Sequence, residues 1–375
     1  MERSLAHIEV INNIQPIKDA DKIEVASVLG WECVVKKDEF KIGDKIIYIE
    51  VDSIVPDKPV YEFLRDRKFR VRTIKLRGQI SQGLVLPLSV YYLNQKSRDN
   101  VKISTDITNY LNITKYLSPS ERNENEEVIR KLREDKNKLR KFMMRYSWIR
   151  KIFLSKTKKS RFPYWVSKTD ENRIQNIPEV LEQFKDKTFY ITEKIDYQSG
   201  TWTSKKVPKF NGIFSKLPFT KISFVVASRN LTVSDKSSLY WQIAKKYDLE
   251  NICKKYPGII IQGEQGNSKI QGNKYLLQEP KMWIFNIKMS DGKFLNPIEI
   301  DSFCDKNNLD SVPLLEKVPL SRLGNTVNEM VKYAEGKSKI NPKIEREGVV
   351  VRCIEDGNKI LSFKIINPKF LLKYE

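Results

Sequence analysis

The chain has 375 residues, enough for two domains that each bury their own core. Its 68 Lys plus Arg against 47 Asp plus Glu give a net charge of +21, which points to a polyanionic partner such as nucleic acid or an anionic surface. Four scattered cysteines (Cys33, Cys253, Cys304, Cys353) without a C-x-x-C, and His7 as the one histidine, give no support to a structural zinc site; MERSLAHIEV lacks an apolar signal core and no run approaches a membrane span, so a soluble, reduced, intracellular protein is expected.

Residues 1–115 alternate short apolar runs with turn signals: LAHIEVINNI, DKIEVASVL, ECVVKK, DKIIYIEV, FRVRTIKLRG and GLVLPL. This is the pattern of a small all-β unit. Gly43-Asp44 reads as a hairpin turn, Pro56 to Pro59 ends a strand, and Val60 to Leu64 reads as a short helix. Five or six short strands with a helix between them fit an OB-type barrel, and another small barrel would give the same pattern. Lys68, Arg70, Arg72, Lys75 and Arg77 place positive charge on and beside one strand, which suits either a nucleic-acid groove or a solvated face. Residues 112–120 read as an exit loop.

Residues 116–161 form a basic linker. Within 121–161, fifteen Lys plus Arg meet six acids, so +9 of the total +21 lies there. Glu124, Glu126 and Glu127 lead, bases follow, and Ile129, Leu132, Leu139, Met143 and Tyr146 recur at helical spacing. A helix with a favourable dipole is expected, either as a connector or as a phosphate-tracking arm.

Residues 162–375 read as a mixed α/β domain. Helical stretches are expected at 178–184, 237–254 and 322–334, and strands at 188–195, 222–227, 258–265, 281–287, 346–353 and 359–366. The first strand runs into ITEKIDYQSGT (191–201), where Lys194 stands between Glu193 and Asp196. Side chains two apart on a strand share a face at about 6.5 to 7 Å, so Lys194 and Asp196 are expected to point the same way, a spacing that suits metal-assisted chemistry at a phosphate. The later strands carry Glu264 in GEQG, Phe285 in WIFNI, Glu347 in REGVVVR and Lys364 in LSFKIINPKF, and Ser228-Arg229-Asn230 follows the remaining one. Taken singly, each has an ordinary structural meaning: Phe285 a core aromatic, Glu347 an acid paired with Arg346 or Arg352, Lys364 a solvated strand lysine, Arg229 and Asn230 a turn.

Their order changes that balance. TEKIDYQSGT resembles the nucleotidyl-lysine motif I of the covalent nucleotidyltransferase superfamily, SRN motif Ia, Gly263-Glu264 motif III, WIFNI motif IIIa, EGVVVR motif IV and SFKIINPKF motif V. Within that superfamily the chain is most similar, end to end, to the ATP-dependent RNA ligases of the Deinococcus and Naegleria type, the fifth RNA ligase family. RTIKLRGQISQGLVLPL resembles the end of that family's N-terminal OB domain, KTDENRIQN (168–176) the segment leading into its adenylyltransferase domain, and GNSKIQGNKY follows Glu264 as expected. With eleven residues following Lys364, the C-terminal OB domain of DNA ligases and capping enzymes is not expected. The sequence departs from the pattern in three places. Tyr197 stands where motif I usually has glycine, so Gly200 is a candidate for the turn; Ile366 replaces a second motif V lysine that some RNA ligases carry, with Lys369 as a substitute; and residues 204–221 read as a basic surface insertion.

The resemblance implies an α+β protein: an N-terminal OB-type β-barrel, a helical linker and a C-terminal mixed α/β adenylyltransferase domain of ATP-grasp-like ligase build. It implies an RNA ligase that joins 3′-OH and 5′-phosphate ends through lysyl-AMP and RNA-adenylate, in nick sealing or repair, acting as a monomer on nicked duplex RNA or bridged RNA ends, with ATP and Mg²⁺ or Mn²⁺. Lys194 is then the nucleophile, and Asp196, Glu264 and Glu347 hold the metal mainly through water. Phe285 stacks on adenine, the backbone of Thr192, Glu193, Lys194 and Ile195 reads its edge, and Lys364 contacts the α-phosphate. Arg229 holds a phosphate, and Asn230 and Lys369 are candidates for RNA contact. A free lysine has a pKa near 10.4, so only about one in 2,500 is neutral at pH 7. A divalent ion near Asp196 and the charge of Lys364 are the expected means of lowering it. A GTP-dependent capping guanylyltransferase, a DNA ligase and a catalytically vestigial RNA-binding protein are the rival readings.

Overall fold

The computed structural model describes residues 4–91, 100–117, 162–168, 170–208, 220–355 and 359–374. The expected linker helix falls outside these residues. In the N-terminal unit, strands β1 (Ala6–Pro16), β2 (Ile23–Val28), β3 (Trp31–Lys36), β4 (Lys45–Ile49) and β9 (Leu84–Pro87) form an antiparallel sheet in the order β3-β2-β1-β4-β9. β1 pairs with β4 through Ala6–Val10 and with β2 from Ile11 onward, with a register shift between Ile11 and Asn13. Such an irregularity bends a strand and lets one sheet curl over its own core. Ile8, Ile47, Ile49 and Tyr61 fill one side of the curl, and Ile11, Trp31, Cys33 and Tyr48 the other.

β5 (Ser53–Ile54), β6 (Arg70–Val71) and β10 (Thr114–Lys115) make a small second sheet, and β7 (Ile74–Leu76) with β8 (Gln79–Ser81) a hairpin. The expected single basic strand is therefore two short ones: Lys68 and Phe69 adopt positive φ before β6, and Arg70 is ion-paired to Asp52 at 3.0 Å instead of facing an open groove. The expected exit loop contains β10, which hydrogen-bonds to β5. The short helix is present as a 3₁₀ segment, Pro59–Arg67.

The C-terminal unit has two sheets. One runs β11 (Asn172–Arg173), β19 (Lys359–Ile366), β18 (Gly348–Glu355), β12 (Thr188–Lys194), β17 (Leu314–Pro319); the other runs β14 (Thr220–Ser228), β13 (Gln198–Pro208), β15 (Ile260–Gly266), β16 (Lys281–Lys288). All six expected strands are present, and β11, β13 and β17 are additional to them. The β-favouring Phe189, Ile191, Val349, Val351, Phe363 and Ile365 alternate inward to make the first sheet's core, and Trp202, Ile261 and Ile284 anchor the second. The expected helix 237–254 is two, Leu239–Lys246 and Leu249–Lys255, because Asp248 between them adopts the left-handed conformation. The 322–334 stretch is helical only over Val327–Ala334; Gly324, at φ +146, breaks it from a preceding 3₁₀ turn. The expected insertion is in part regular hairpin: Ser204 to Pro208 belong to β13, and Thr220 and Lys221 to β14. Residues 209–219 lie outside the described set.

The two units meet through the 170–176 segment. Arg173, 5% exposed, donates to Asp52 at 2.9 Å, and Asp52 also holds Arg70. Trp31 Nε1 donates to Asn176 Oδ1 at 2.5 Å, Asn176 Nδ2 donates to Glu50 at 2.6 Å, and Gly30 N donates to Gln175 O at 2.9 Å. Among the described residues no helix is long and apolar enough to cross a membrane.

Candidate active site

A cleft lies between the two sheets. Thr192, Lys194, Glu264, Arg229, Phe285 and Lys364 all contribute to its wall, so six motif residues spread over 173 positions converge on one space. Glu193 and Ile195 line it as well.

Register explains the convergence. Lys194, the last residue of β12, pairs with Gly348 at the start of β18, which places the preceding Glu347 beside it. Lys194 Nζ donates to both carboxylate oxygens of Glu347 at 2.7 Å. A side chain at 348 could not be accommodated, since its Cβ would stand 2.1 Å from the Ile365 carbonyl oxygen. Lys364 pairs with Val350 one strand further. On the opposite sheet Glu264 pairs with Ser199, and Arg229 directly follows β14.

The electrostatics of this group are dominated by carboxylates. Burial alone pushes the Lys194 ammonium down, but the charges of Glu347, Glu264 and Asp196 and the Glu347 hydrogen bonds outweigh it and hold its pKa above the ordinary value. Glu264 goes the other way: burial, reinforced by Glu347 and Asp196, lifts its carboxyl to about 8, and its Oε2 is buried without a hydrogen-bond partner. The lowering of the lysine pKa expected from nearby positive charge is thus not a property of the protein by itself.

Asp196 is near enough for its charge to act on Lys194, but it does not line the cleft wall beside it as strand alternation implied. β12 ends at Lys194, and beyond it Asp196 turns its carboxylate to Lys274, while its N–H donates to the Tyr275 hydroxyl at 3.1 Å. The Lys274 ammonium also lies 4.9 and 5.1 Å from the ring centres of Phe370 and Tyr374. Tyr197 is buried; its ring packs 5.2 Å from Tyr275 and stacks on Trp283 at 6.2 Å with 7° between planes. The room for it comes from Gly266, where a Cβ would lie 2.6 Å from the Tyr197 ring. No residue from Asp196 to Gly200 has positive φ, so the chain passes this point without the glycine turn expected at Gly200.

The other candidates are placed as follows. Arg346 donates to the carbonyls of Tyr333, Ala334 and Glu335 at a helix end and Arg352 to Glu171, so neither is the partner of Glu347. Asn230 accepts from Lys168 at 3.5 Å, outside the cleft lining. Ile366 is 3% exposed and packs on Phe370 and Leu371. Lys369 pairs with Glu335 at 2.6 Å, also outside the lining. Asp170 was missed: it accepts from Lys364 and Arg229 at 3.0 Å and lies 3.2 Å from Lys115 of β10. Burial raises its carboxyl, but those three cations overcome it and hold it well below the carboxylate range. Asp170, Lys274 and Tyr275 all lie within KTDENRIQN or GNSKIQGNKY, so the signal for them was the family-like stretch, not any local pattern.

Comparison with known proteins agrees with this geometry. An OB-fold domain model matches residues 5–88 and an RNA ligase model residues 187–366. Naegleria gruberi RNA ligase with pyrophosphate superposes with a TM-score of 0.76 at 28% identity, covering 99% of each chain. A variant of that enzyme with ATP and Mn superposes with a TM-score of 0.76 at 27% identity over 99% of each, and one with AMP and Mn with 0.75 at 28% over 99% of each. No curated protein sequence matches the chain. From the lysine-centred cleft, the matched models and a likeness that runs the length of both chains, it follows that residues 187–366 form a domain of the RNA ligase family and that the whole chain has the two-domain build of the Naegleria enzyme.

Proposed function

We propose that the protein is an ATP-dependent RNA ligase that seals a 3′-OH to a 5′-phosphate through lysyl-AMP at Lys194 and an RNA-adenylate. The observation that carries this reading is the placement of the Lys194 amine in the cleft at 2.7 Å from both oxygens of Glu347, with Glu264 and Lys364 on the surrounding walls.

The residues present fit a divalent ion. Three carboxylates bear on one lysine, and Glu264 Oε2 is buried without a partner, which is unfavourable unless a cation completes it. Carboxylate oxygens are suitable hard donors for Mg²⁺ or Mn²⁺. Asp196, Glu264 and Glu347 would hold it mainly through water; among the described residues no three His, Cys, Asp or Glu are grouped tightly enough to ligate an ion together. Bound there, the ion supplies positive charge that offsets the carboxylates and neutralises phosphate.

The chain's own groups then divide the work. Glu347 aims the Lys194 amine, whose neutral form attacks the ATP α-phosphorus as the α–β phosphoanhydride bond breaks and pyrophosphate leaves. Lys364 and Arg229, gathered by Asp170, neutralise phosphate oxygens, since phosphoryl chemistry needs positioning and charge stabilisation more than acid–base help. Phe285 offers a half-buried face to adenine, and the backbone of Thr192 to Ile195 reads its edge. RNA enters as the partner whose 5′-phosphate takes AMP; Asn230 and Lys369 are its candidate contacts at the surface.

The test is to incubate the protein with Mn²⁺ and α-labelled ATP or GTP and look for an acid-labile nucleotide on the chain that is lost in Lys194→Ala. No adduct with either nucleotide removes the enzyme reading, and label from GTP alone moves it to capping. Nicks with ribose or deoxyribose at the 3′-OH side then distinguish an RNA from a DNA ligase.

A further inference from the structure

Among the described residues Tyr164 is the most exposed of the large apolar side chains, at 84% of its possible surface. Single exposed aromatics are common on protein surfaces, but this one is held in a constructed setting. Its ring meets the adjacent Trp165 edge-on, with centroids 5.1 Å apart and 87° between planes. The Lys205 ammonium stands 4.3 Å from the centre of each ring and hydrogen-bonds the Tyr164 hydroxyl. Lys205 lies on β13, paired with Ser223 of β14 beyond the point where β13 leaves β15, so the cation is presented from a regular two-stranded extension of the sheet. It also belongs to the basic, aromatic-containing stretch after motif I that the cleft chemistry leaves unused.

The platform is tied to the cleft by two routes. The chain from Tyr164 runs to Asp170 in the cleft wall and is fixed on the way: Gln262 of β15 donates to Ser167 O at 3.1 Å, and Lys168 contacts Asn230. β13 runs from Ser199, in the cleft wall, to Lys205. Six residues of strand span about 20 Å. A stacked nucleic-acid strand advances about 3.4 Å per nucleotide, so the platform sits on the order of six nucleotides from the reacting ends.

A rigid aromatic ring beside a cation is what an unpaired base recognises, because every base has a π-face and the strand is anionic. A paired base has no free face to offer. We infer that Tyr164, Trp165 and Lys205 form a stacking platform for a base of an unpaired RNA strand that leads into the cleft. This rests on the RNA ligase reading and deepens it, since it makes single-stranded RNA flanking the junction part of the substrate.

The experiment uses the full chain and oligoribonucleotides of roughly ten nucleotides carrying a 5′-phosphate and a 2-aminopurine at successive positions. Stacking quenches 2-aminopurine. The expected result is a quench that peaks about six nucleotides from one end, is lost in Tyr164→Ala and is kept in Tyr164→Phe, with affinity about tenfold weaker in Tyr164→Ala. Unchanged affinity and quench in Tyr164→Ala overturn the proposal, and so does an equal loss of affinity for a fully paired duplex. Lysyl-AMP formation, which requires no RNA, is followed in the same preparations: if the wild-type chain forms none, the ligase reading fails, while the quench still decides the platform by itself.

Discussion

Lys194 and Glu347, 153 residues apart, meet with the ammonium donating to both carboxylate oxygens at 2.7 Å. Lys194, the proposed nucleophile, is therefore held in its protonated form, because Glu347, Glu264 and Asp196 together outweigh burial. The neutral amine is the reactive form, so adenylation at limiting metal should rise with pH. A bound divalent ion offsets the carboxylates and lowers the lysine pKa. Raising Mn²⁺ should accordingly move the acid limb of the rate profile to lower pH, by on the order of one unit. Single-turnover lysyl-AMP formation at two metal concentrations measures this, and a limb that stays in place refutes it.

Glu264 carries the complementary expectation. Its folded pKa of about 8 lies above the unfolded value of 4.5, so the folded state binds the extra proton between them. Without metal, its contribution to stability falls as pH rises from 4.5 to about 8, and the cost is fully present above that, on the order of a few kcal/mol. Glu264→Gln should thus unfold at higher temperature than wild type at pH above about 8 in chelator, with the advantage gone near pH 5. Saturating Mn²⁺ should stabilise the wild type and leave the variant unmoved.

Tyr197 and Gly266 form a matched pair. A Cβ at 266 would stand 2.6 Å from a ring that Tyr275 and Trp283 hold in place, so it cannot be relieved by rotation of a free side chain. Gly266→Ala should cost about 1–3 kcal/mol in denaturant unfolding. In a Tyr197→Ala background the same change should cost little, and the double-mutant cycle reports the difference. Additive effects would show that the two do not interact.

Asp52 lies between Arg70 and Arg173, at 3.0 and 2.9 Å. Asp52→Ala leaves Arg173 buried at the junction of the two units without its acidic partner. A loss of about 3–5 kcal/mol is expected. Because the pair spans the junction, calorimetry should show the unfolding transition splitting in two; a single, equally sharp transition at the wild-type temperature would contradict this.

His7 is buried in the N-terminal unit between Glu9 at 2.8 Å and Glu50 at 3.4 Å. Burial pushes its pKa down, but the two glutamates outweigh that and raise it from 6.5 to about 9. Its stabilising contribution is complete below 6.5 and is lost as pH rises through about 9. As the only histidine, it gives a unique ring signal in NMR. That signal should titrate near 9 and move down in Glu50→Gln.

The strands and the order of the polar signatures were legible in the sequence because both are short-range properties. Alternation in TFYITEK, GVVVR and ILSFKII places a strand whatever it pairs with, and a glutamate before GVVV or a lysine in SFK is visible without a partner. The breaks were less legible. Asp248 in the left-handed region divides a helix that its apolar spacing joins, and the end of β12 at Lys194 frees Asp196 from the alternation that had aimed it at the lysine. Only the tertiary structure decided which charges meet. Glu347 had Arg346 and Arg352 as nearer candidates in sequence, yet pairing Lys194 with Gly348 delivers it to Lys194 instead. Asp170 gathers cations from three separate strands or their ends, and Tyr197 is admitted where glycine was expected because Gly266, on a neighbouring strand, leaves its space open. Sequence alone determined which residue types the chain offers and on which elements. Strand register and packing determined their partners, because contacts at 2.7 to 3 Å depend on alignments set by residues more than a hundred positions away.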